Sequence, residues 1–253
     1  MTNNQNENQQ NENVNVVELQ TITPKYRGLL SVLITFGVCF VTIIFLFQIV
    51  LKPIKIEGIS MQPTINVDFA PVTAANNQDL VYYNKTNNYS VGDIVIINND
   101  FDNDTIIKRV IATGGQTITF KTSGEPSYIK YGGESQHDVV NLTIEITSGN
   151  ETTQLKEDYI NESMIFQYVN SININELGQF TQYTQMSDAL KSNNSYSITL
   201  PENTFFCMGD NRSHSYDSRH FGYFSADDIL GEMILHVPHG RSIFYALWHK
   251  IFG

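Results

Sequence analysis

The sequence predicts a mainly β domain anchored by one N-terminal transmembrane helix. The stretch Gly28–Leu51 contains no charged residue and is long enough to cross a bilayer as a helix. From Ile54 onward, short segments rich in β-branched and aromatic residues alternate with Gly, Asn and Asp. The 253 residues suffice for one such helix and one domain of ordinary size.

Residues 1–27 form a polar tail before the helix. Residues 1–23 are rich in Asn, Gln and Glu and show no apolar periodicity, so they bury too little surface to offset their ordering entropy. We therefore expect this tail to be disordered. It would lie in the cytoplasm, because a short tail inside and a large domain outside is the natural arrangement of a first helix.

The apolar stretch 28–51 has one alternative interpretation, a cleavable secretory signal. It is longer than a usual signal core, and the residues that follow, Gln48–Lys55, offer no small-x-small cleavage site. An uncleaved anchor is therefore favoured. Basic residues stand on both sides of it, so the charge rule hardly decides the orientation.

Residues 52–240 are predicted to form an extracytoplasmic β domain. Its expected strands are Leu80–Tyr83, Asp93–Asn98, Thr105–Ala112, Thr117–Lys121, Val139–Ile146, Met164–Tyr168, Tyr196–Leu200 and Thr204–Met208. Within it, residues 122–195 hold most of the Asn-rich turns and no chemical motif, so we predict a β-rich insertion there.

Residues 241–253 end the chain with an amphipathic segment. Apolar residues recur at helical spacing, from Ile243 to Ile251, and include Trp248. The segment is too short to span a membrane. We expect it either to pack on the domain or to lie at the membrane interface.

Composition excludes two classes of function. The net charge of −11, with no basic run, disfavours nucleic-acid binding. Cys39 lies in the apolar stretch and Cys207 far outside it, and no zinc-type cysteine spacing occurs. We therefore expect no disulfide, no metal and no cofactor.

Three segments are candidates for chemistry. In Gly58–Thr64, Ser60 stands before Met61 and a Pro-fixed turn, which suits a nucleophile, although a serine beside a proline usually only makes a turn. In Ile106–Ile111, Lys108 is centred in an apolar strand, where burial of an ammonium is costly. An edge-strand charge or a snorkelling side chain is the simpler interpretation of that lysine.

The third segment is Met208–Gly222, where paired acids and arginines follow an apolar strand. Such a run can be merely a solvated loop. Its density of opposite charges nevertheless indicates a site braced by ion pairs.

Taken in order, these segments and the strand Gly92–Ile96 resemble the sequence motifs of bacterial type I signal peptidases, which are Ser–Lys proteases. The resemblance covers the anchor and about half of the domain, and residues 122–195 lie outside it. It implies a signal-peptidase-like β domain without a cofactor. The implied activity is cleavage of N-terminal signal peptides from secreted preproteins after small-x-small motifs.

The resemblance also implies a location and partners. The enzyme would be a single-pass protein of the cell membrane, with its N-terminus in the cytoplasm and its catalytic domain outside. Its partners would be signal peptides and the lipid bilayer, with the secretion translocase nearby.

By the same resemblance, Ser60 is the nucleophile, Lys108 the general base, and Ser215 a hydrogen-bonding partner that orients the lysine amine. The backbone N–H of Ser60 would bind the oxyanion, and Gly58, as in many Gram-positive members, offers no side-chain donor. The charges expected to brace the last motif are Asp210, Arg109, Asp217 and Arg219. The side chains expected to line shallow pockets for small residues are Ile54, Ile56, Met61, Ile65, Ile106 and Ile107.

Elementary physical chemistry supports the role of the lysine. A lysine in water has a pKa of about 10.4 and is protonated at neutral pH. Apolar neighbours such as Ile107 and Val110 destabilise the charged form and lower that pKa. The neutral amine can then accept the Ser60 proton without a histidine.

The chain departs from the family pattern in loops. A strand expected soon after Pro63-Thr64 is found only at Gln78–Val81, which predicts an inserted loop of about a dozen residues. Ala112–Gln116 replaces the usual Gly-x-Pro-Gly-Asp turn, and Ser213 and His214 replace the usual Asp and Asn. None of these changes removes a predicted catalytic group.

Four rival interpretations are weaker. His214, Asp217 and His220 could suggest a metal site, but no fourth ligand is apparent. A catalytically inactive relative is disfavoured because both Ser60 and Lys108 are present. A self-cleaving repressor would need a basic DNA-reading helix, and a penicillin-binding enzyme would need Lys where Pro63 stands.

Overall fold

The computed structural model describes residues 24–68, 77–86, 88–99, 104–130, 136–160, 165–167 and 181–253. Most of the predicted tail, part of the predicted loop after Thr64 and parts of the predicted insertion lie outside these residues. The chain divides into two compact units, Met1–Gln48 and Ile49–Gly253.

The first unit contains helix α1, Pro24–Val50, whose last two residues belong to the second unit. The helix begins within the polar flank and continues through the uncharged stretch. Its segment Tyr26–Phe45 is long and apolar enough to cross a membrane, and none of it is buried within the protein. The predicted N-terminal apolar helix is therefore present.

The second unit is built on two antiparallel sheets. Sheet A has the strand order β1-β2-β12-β3-β4-β10-β11. Its strands are β1 Lys52–Lys55, β2 Leu80–Asn84, β3 Ile94–Asn99, β4 Asp104–Thr113, β10 Thr204–Met208, β11 Phe224–Ser225 and β12 Ile229–Val237.

Sheet B has the order β7-β6-β5-β9, and β8 also pairs with β6. Its strands are β5 Thr117–Lys130, β6 Gln136–Ser148, β7 Glu151–Gln154, β8 Ile165–Gln167 and β9 Ser195–Thr199. The described helices of this unit are α2 Thr181–Asn193, α3 Ser218–Phe221 and α4 Ile243–Phe252.

The central strands of sheet A are covered on both faces. In β3, Ile94–Ile97 are all buried, which explains why this strand is a continuous apolar run and not an alternating one. Ile94 and Ile96 pack in one cluster, and Val95 and Ile97 pack in another. This burial on both faces gives a rigid framework for the residues of the neighbouring strand β4.

A third apolar cluster joins the sheets. Ile111 and Phe206 from sheet A pack with Phe120 and Ile144 from sheet B and with Leu190 from α2. The 122–195 region is thus part of the same core as the strands that carry the sequence motifs.

The mainly β fold class is confirmed, with two elements that the sequence pattern did not reveal. One is α2, a helix within the region predicted to be a β-rich insertion. The other is β12, which lies between β2 and β3 in the middle of sheet A. Its Gly231 sits so close to β2 that a Cβ would collide with the backbone of Asn84.

Candidate active site

Ser60 lies in a turn between β1 and β2, and a buried polar network holds that turn. The Asn66 side chain donates to the carbonyls of Ile56 and Gly58 at 2.7 and 3.0 Å. Asn66 and Asp79 also exchange two hydrogen bonds, at 2.7 and 2.8 Å. These contacts lie on both sides of the turn that carries Ser60, and they fix that turn to the start of β2.

Asp79 is itself anchored by the end of β12. It contacts His236 Nε2 at 2.7 Å and accepts the His239 N–H at 2.7 Å. Burial alone would raise the pKa of this carboxyl, but the hydrogen bonds from His236, Asn66 and His239 outweigh it and lower the pKa. Asp79 is therefore an ionised support of the turn.

Lys108 meets Ser60 across 48 residues of sequence. Its Nζ lies 3.0 Å from Ser60 Oγ and 2.9 Å from the Ile107 carbonyl oxygen. The lysine is only 3% exposed. Strand β4 presents it directly opposite Val95 of β3.

The environment of Lys108 favours its neutral form. Burial lowers the pKa of the amine from 10.5 to about 8, and the nearby charge of Arg219 acts in the same direction. The negative charges of Asp217 and Asp104 oppose the shift. The amine can thus lose its proton close to physiological pH.

Arg109, the next residue, braces the site from the other side of β4. It forms a two-pronged ion pair with Asp210, at 2.8 and 2.6 Å, and donates to the Gly92 carbonyl at 2.8 Å. The hydroxyl of Thr64 also donates to Asp210. This cluster ties together β4, the end of β10 and the nucleophile turn.

Asp217 and Arg219 form a second buried ion pair, at 2.8 Å. Asp217 also accepts the backbone N–H of Gly209 at 3.0 Å and caps helix α3. Burial would raise its pKa, but the charge and hydrogen bonds of Arg219, together with His220 and the Gly209 N–H, outweigh burial and lower the pKa, so the carboxyl stays ionised. The pair holds the loop after β10 closed on itself.

The same loop touches Ser60 directly. The Asn211 N–H donates to the Ser60 carbonyl at 3.0 Å. A Cβ at Gly209 would collide with that carbonyl and with Ser215 Oγ. Only a glycine allows this approach, so Gly209 is part of how Ser60 is positioned.

Ser215 does not make the contact that the resemblance predicts. The side chain is buried, yet its Oγ makes no hydrogen bond to any residue that the structure describes. The hydrogen bond predicted between Ser215 and Lys108 is therefore not formed here. The hydroxyl instead packs against Gly209.

The sequence did not predict the contacts that the 122–195 region makes with Arg109 and Arg212. Glu157 forms a buried ion pair with Arg212, and Arg212 Nε donates to the Gly209 carbonyl at 2.9 Å. The ring of Tyr159 lies 3.9 Å under the Arg109 guanidinium, and its hydroxyl donates to Glu157 at 2.7 Å. Glu157 lies 55 residues before Arg212, so local spacing carried no signal for this pair.

A groove of about 240 Å³ runs beside Ser60 and Lys108. Its walls are Ile54–Glu57 on one side and Asp104–Lys108 on the other. Four predicted pocket residues line it: Ile54, Ile56, Ile106 and Ile107. Met61 and Ile65 do not, because both are fully buried in the core beneath the turn.

The residues that could suggest a metal site, His214, Asp217 and His220, make other contacts. Asp217 is engaged by Arg219, and His220 stacks on Tyr183 with ring centroids 4.4 Å apart. Burial lowers the pKa of His220 to about 3. Among the described residues, no group of three His, Cys, Asp or Glu could hold a metal ion.

The fold and the site define a class: a mainly β serine endopeptidase with a lysine amine, not a histidine, against the serine hydroxyl. A family model for signal peptidase, peptidase S26, matches residues 29–237. The chain therefore belongs to the signal peptidase family, whose members cleave signal peptides from preproteins.

Individual relatives agree with this assignment. The chain is 30% identical to signal peptidase I P of Bacillus subtilis subsp. natto over 188 residues, 74% of each chain. It is 27% identical to signal peptidase IB of Staphylococcus aureus over 207 residues, 82% of this chain and 88% of the relative. A crystal structure of a signal peptidase I from Enterococcus faecalis covers 58% of this chain and 98% of its own, with 21% identity and a TM-score of 0.34.

Proposed function

We propose that this signal peptidase cleaves its substrates with Ser60 as nucleophile and Lys108 as general base. The observation that carries the proposal is the 3.0 Å contact between Lys108 Nζ and Ser60 Oγ. It occurs where burial lowers the pKa of the amine to about 8. A neutral amine at this distance can take the hydroxyl proton as the serine attacks.

The reaction then proceeds in two halves. Ser60 Oγ bonds to the scissile carbonyl carbon while its proton passes to Lys108 Nζ. The tetrahedral intermediate expels the amine of the mature protein, which takes that proton from the lysine. The neutral lysine next deprotonates a water molecule, whose oxygen attacks the ester carbonyl carbon. The bond between that carbon and Ser60 Oγ then breaks, Ser60 Oγ takes the proton back from Lys108, and the signal peptide leaves with a new carboxyl group that ionises in water.

The backbone N–H of Ser60 is the proposed oxyanion donor. It makes no hydrogen bond to any residue within the described ranges, so it remains available for substrate. Gly58 has no side chain to add a second donor. The fixed turn that holds Ser60 would keep this N–H aimed at the developing charge.

The groove suits a peptide in extended conformation. β1 is an edge strand of sheet A, and β10 pairs with β4 only at Arg109–Thr113. The segment Asp104–Lys108 therefore has no described strand on that side. A substrate strand could pair with both open edges.

This binding mode accounts for small-x-small selectivity. Side chains of an extended peptide alternate between faces, so every second one points toward the same wall. We expect the isoleucines that line the groove to select small side chains there. The residue between them points away from the wall and is unrestricted.

The supporting residues act through position. Asp210, Arg109, Asp217 and Arg219 hold the loop after β10 against the nucleophile turn. Ser215 keeps its proposed role toward Lys108, to be taken up when the amine is neutral or the substrate is bound. Neither role requires contact with the substrate.

We further propose that α1 is an uncleaved, single-pass anchor of the cell membrane. The N-terminus would be cytoplasmic and the catalytic domain extracytoplasmic, near the secretion translocase. The support is chemical, since a signal peptide becomes cleavable on the side to which the preprotein is exported. No role for nucleic acid follows from a chain of net charge −11.

The test is preprotein cleavage by the full chain in detergent. Ser60→Ala and Lys108→Ala should each lower kcat roughly 1000-fold or more. Lys108→Arg should fail as severely, because a guanidinium cannot be neutralised. Substantial turnover by any of these variants would refute the proposed pair.

Matched controls come from sheet B. Ser197→Ala and Lys121→Ala change the same residue types at exposed positions remote from the groove. Both should cleave at the wild-type rate. Unchanged circular dichroism of all five variants would show that lost activity is not lost folding.

A further inference from the structure

Helix α4 carries large apolar side chains on its outer face. Phe244, Trp248, Ile251 and Phe252 are 65, 64, 67 and 68% exposed. Their spacing of four, three and one residues places them on one side of a helix. The described part of the molecule therefore exposes a continuous aromatic and aliphatic patch at its C-terminus.

A different face attaches α4 to sheet A. Ala246 is its buried residue, and the Lys250 ammonium donates to the Ile234 carbonyl of β12. A helix that only stabilised the domain would turn its apolar side inward. Here the contact between α4 and sheet A is small, and the apolar side of the helix faces away from the domain.

Sheet register puts this helix beside the point where the chain leaves α1. Lys52, two residues after α1 ends at Val50, pairs with Tyr83, and Tyr83 pairs with Met233. Two strand spacings, about 10 Å, separate Lys52 from the β12 segment that holds Lys250. Only Leu51 separates Lys52 from the last residue of α1, so this edge of the sheet follows the helix directly along the chain.

The charges around the patch also indicate the partner. Lys52, Lys55 and Arg241 are exposed at this edge, although the whole chain has a net charge of −11. Cations flanking an apolar helix face complement anionic lipid headgroups. Tryptophan is also a residue that favours the interface of a bilayer.

We propose that α4 lies in the headgroup region of the membrane, with the Phe244–Trp248–Ile251–Phe252 face inserted and the basic residues on anionic lipids. This inference rests on the anchoring role proposed for α1. The helix lies beyond residues 29–237, which the family model matches. A second membrane contact would limit the rotation of the catalytic domain at the bilayer surface.

The test uses Trp248, which is the only tryptophan in the sequence. The full chain is reconstituted in phosphatidylglycerol–phosphatidylcholine vesicles whose acyl chains are brominated near the headgroup. Most of the tryptophan emission should be lost relative to unbrominated vesicles, and aqueous iodide should quench little. Iodide quenching without bromolipid quenching would place the helix in water and overturn the proposal.

Variants separate this proposal from its rivals. Phe244→Ser/Ile251→Ser should reduce bromolipid quenching, whereas Val91→Ser, an exposed apolar residue elsewhere, should not. Protection from iodide without bromolipid quenching would mean that a second copy covers the face, and would also refute the inference. Ser60→Ala should quench like the wild type, so failure of the proposed catalytic pair would not be mistaken for failure of membrane contact.

Discussion

At the scale of single residues, the proposed chemistry depends on the burial of one amine. A shift in pKa from 10.5 to about 8 corresponds to roughly 3 kcal/mol of preference for the neutral form. The same pKa shift destabilises the folded state at neutral pH, where the lysine is mostly protonated. A water-exposed lysine would avoid this cost but could not act as a base.

We expect kcat/KM to follow the deprotonation of Lys108. It should rise about tenfold per pH unit below pH 8 and level off above, because only the neutral amine accepts a proton. Initial rates on a preprotein across pH 5 to 10 measure this. A flat profile over that range would contradict a lysine base.

The stability of the domain should change with pH in the same sense. A lowered pKa means that the folded state binds fewer protons than the unfolded state between about pH 8 and 10.5. The lysine term therefore makes the fold more stable as pH rises through that window. Thermal melts measure this contribution. The melting temperature of the wild type should rise with pH over this window relative to that of Lys108→Met.

Ser215 shows how far a motif can predict a contact. The resemblance implies a hydrogen bond to Lys108, whereas the structure packs this hydroxyl against Gly209 without a described partner. A buried hydroxyl without a partner costs free energy, because its hydrogen bonds to water are lost and not replaced. We therefore expect the proposed hydrogen bond to Lys108 in a state other than the one described.

At the scale of elements, the segment before β8 couples sheet B to the site. Glu157 neutralises Arg212, and Tyr159 stacks under Arg109. Both arginines hold the loop after β10, which touches Ser60. We therefore interpret the 122–195 region as structural support of the site as well as an added sheet.

This coupling predicts that a single variant is less stable than the corresponding double variant. Glu157→Ala should destabilise the domain by about 3 kcal/mol or more, because it leaves the Arg212 charge buried and unpaired. The double variant Glu157→Ala/Arg212→Met should recover part of that loss, since no charge is then buried. Chemical denaturation in detergent measures both.

The matched control for this pair lies in sheet B. Lys121 and Glu145 form an exposed ion pair between β5 and β6. Glu145→Ala should cost less than about 1 kcal/mol because exposed pairs contribute little. Equal losses for Glu157→Ala and Glu145→Ala would show that burial of Arg212 is unimportant.

At the scale of the whole molecule, the proposed orientation can be tested with cysteines. The native thiols give little background: Cys39 lies in α1, and Cys207 is fully buried, which raises the pKa of its thiol. Asn150→Cys, in an exposed turn, should react with a membrane-impermeant maleimide added to intact cells. Asn11→Cys, in the N-terminal tail, should react only after lysis, and the reverse pattern would contradict the proposed topology.

Much of the fold could be predicted from local pattern alone. The uncharged stretch predicts α1 because twenty or so apolar residues suit little else. Thr204–Met208 and its neighbours are predicted as strands because branched and aromatic residues dominate them. α2 and β12 escaped prediction, since Leu, Met and Glu in β12 do not favour a strand and the apolar residues of α2 are few.

By itself, the sequence determined the N-terminal apolar helix, the β character of the domain and the choice of Ser60 and Lys108 as the residues to examine. Each of these depends on residue type and short spacing. Only the tertiary structure decided that Met61 and Ile65 enter the core, that Glu157 meets Arg212, and that α4 turns its aromatic side outward. Those outcomes depend on which distant segments pack together. A contact such as the one between Glu157 and Arg212, 55 residues apart, cannot be inferred from local spacing.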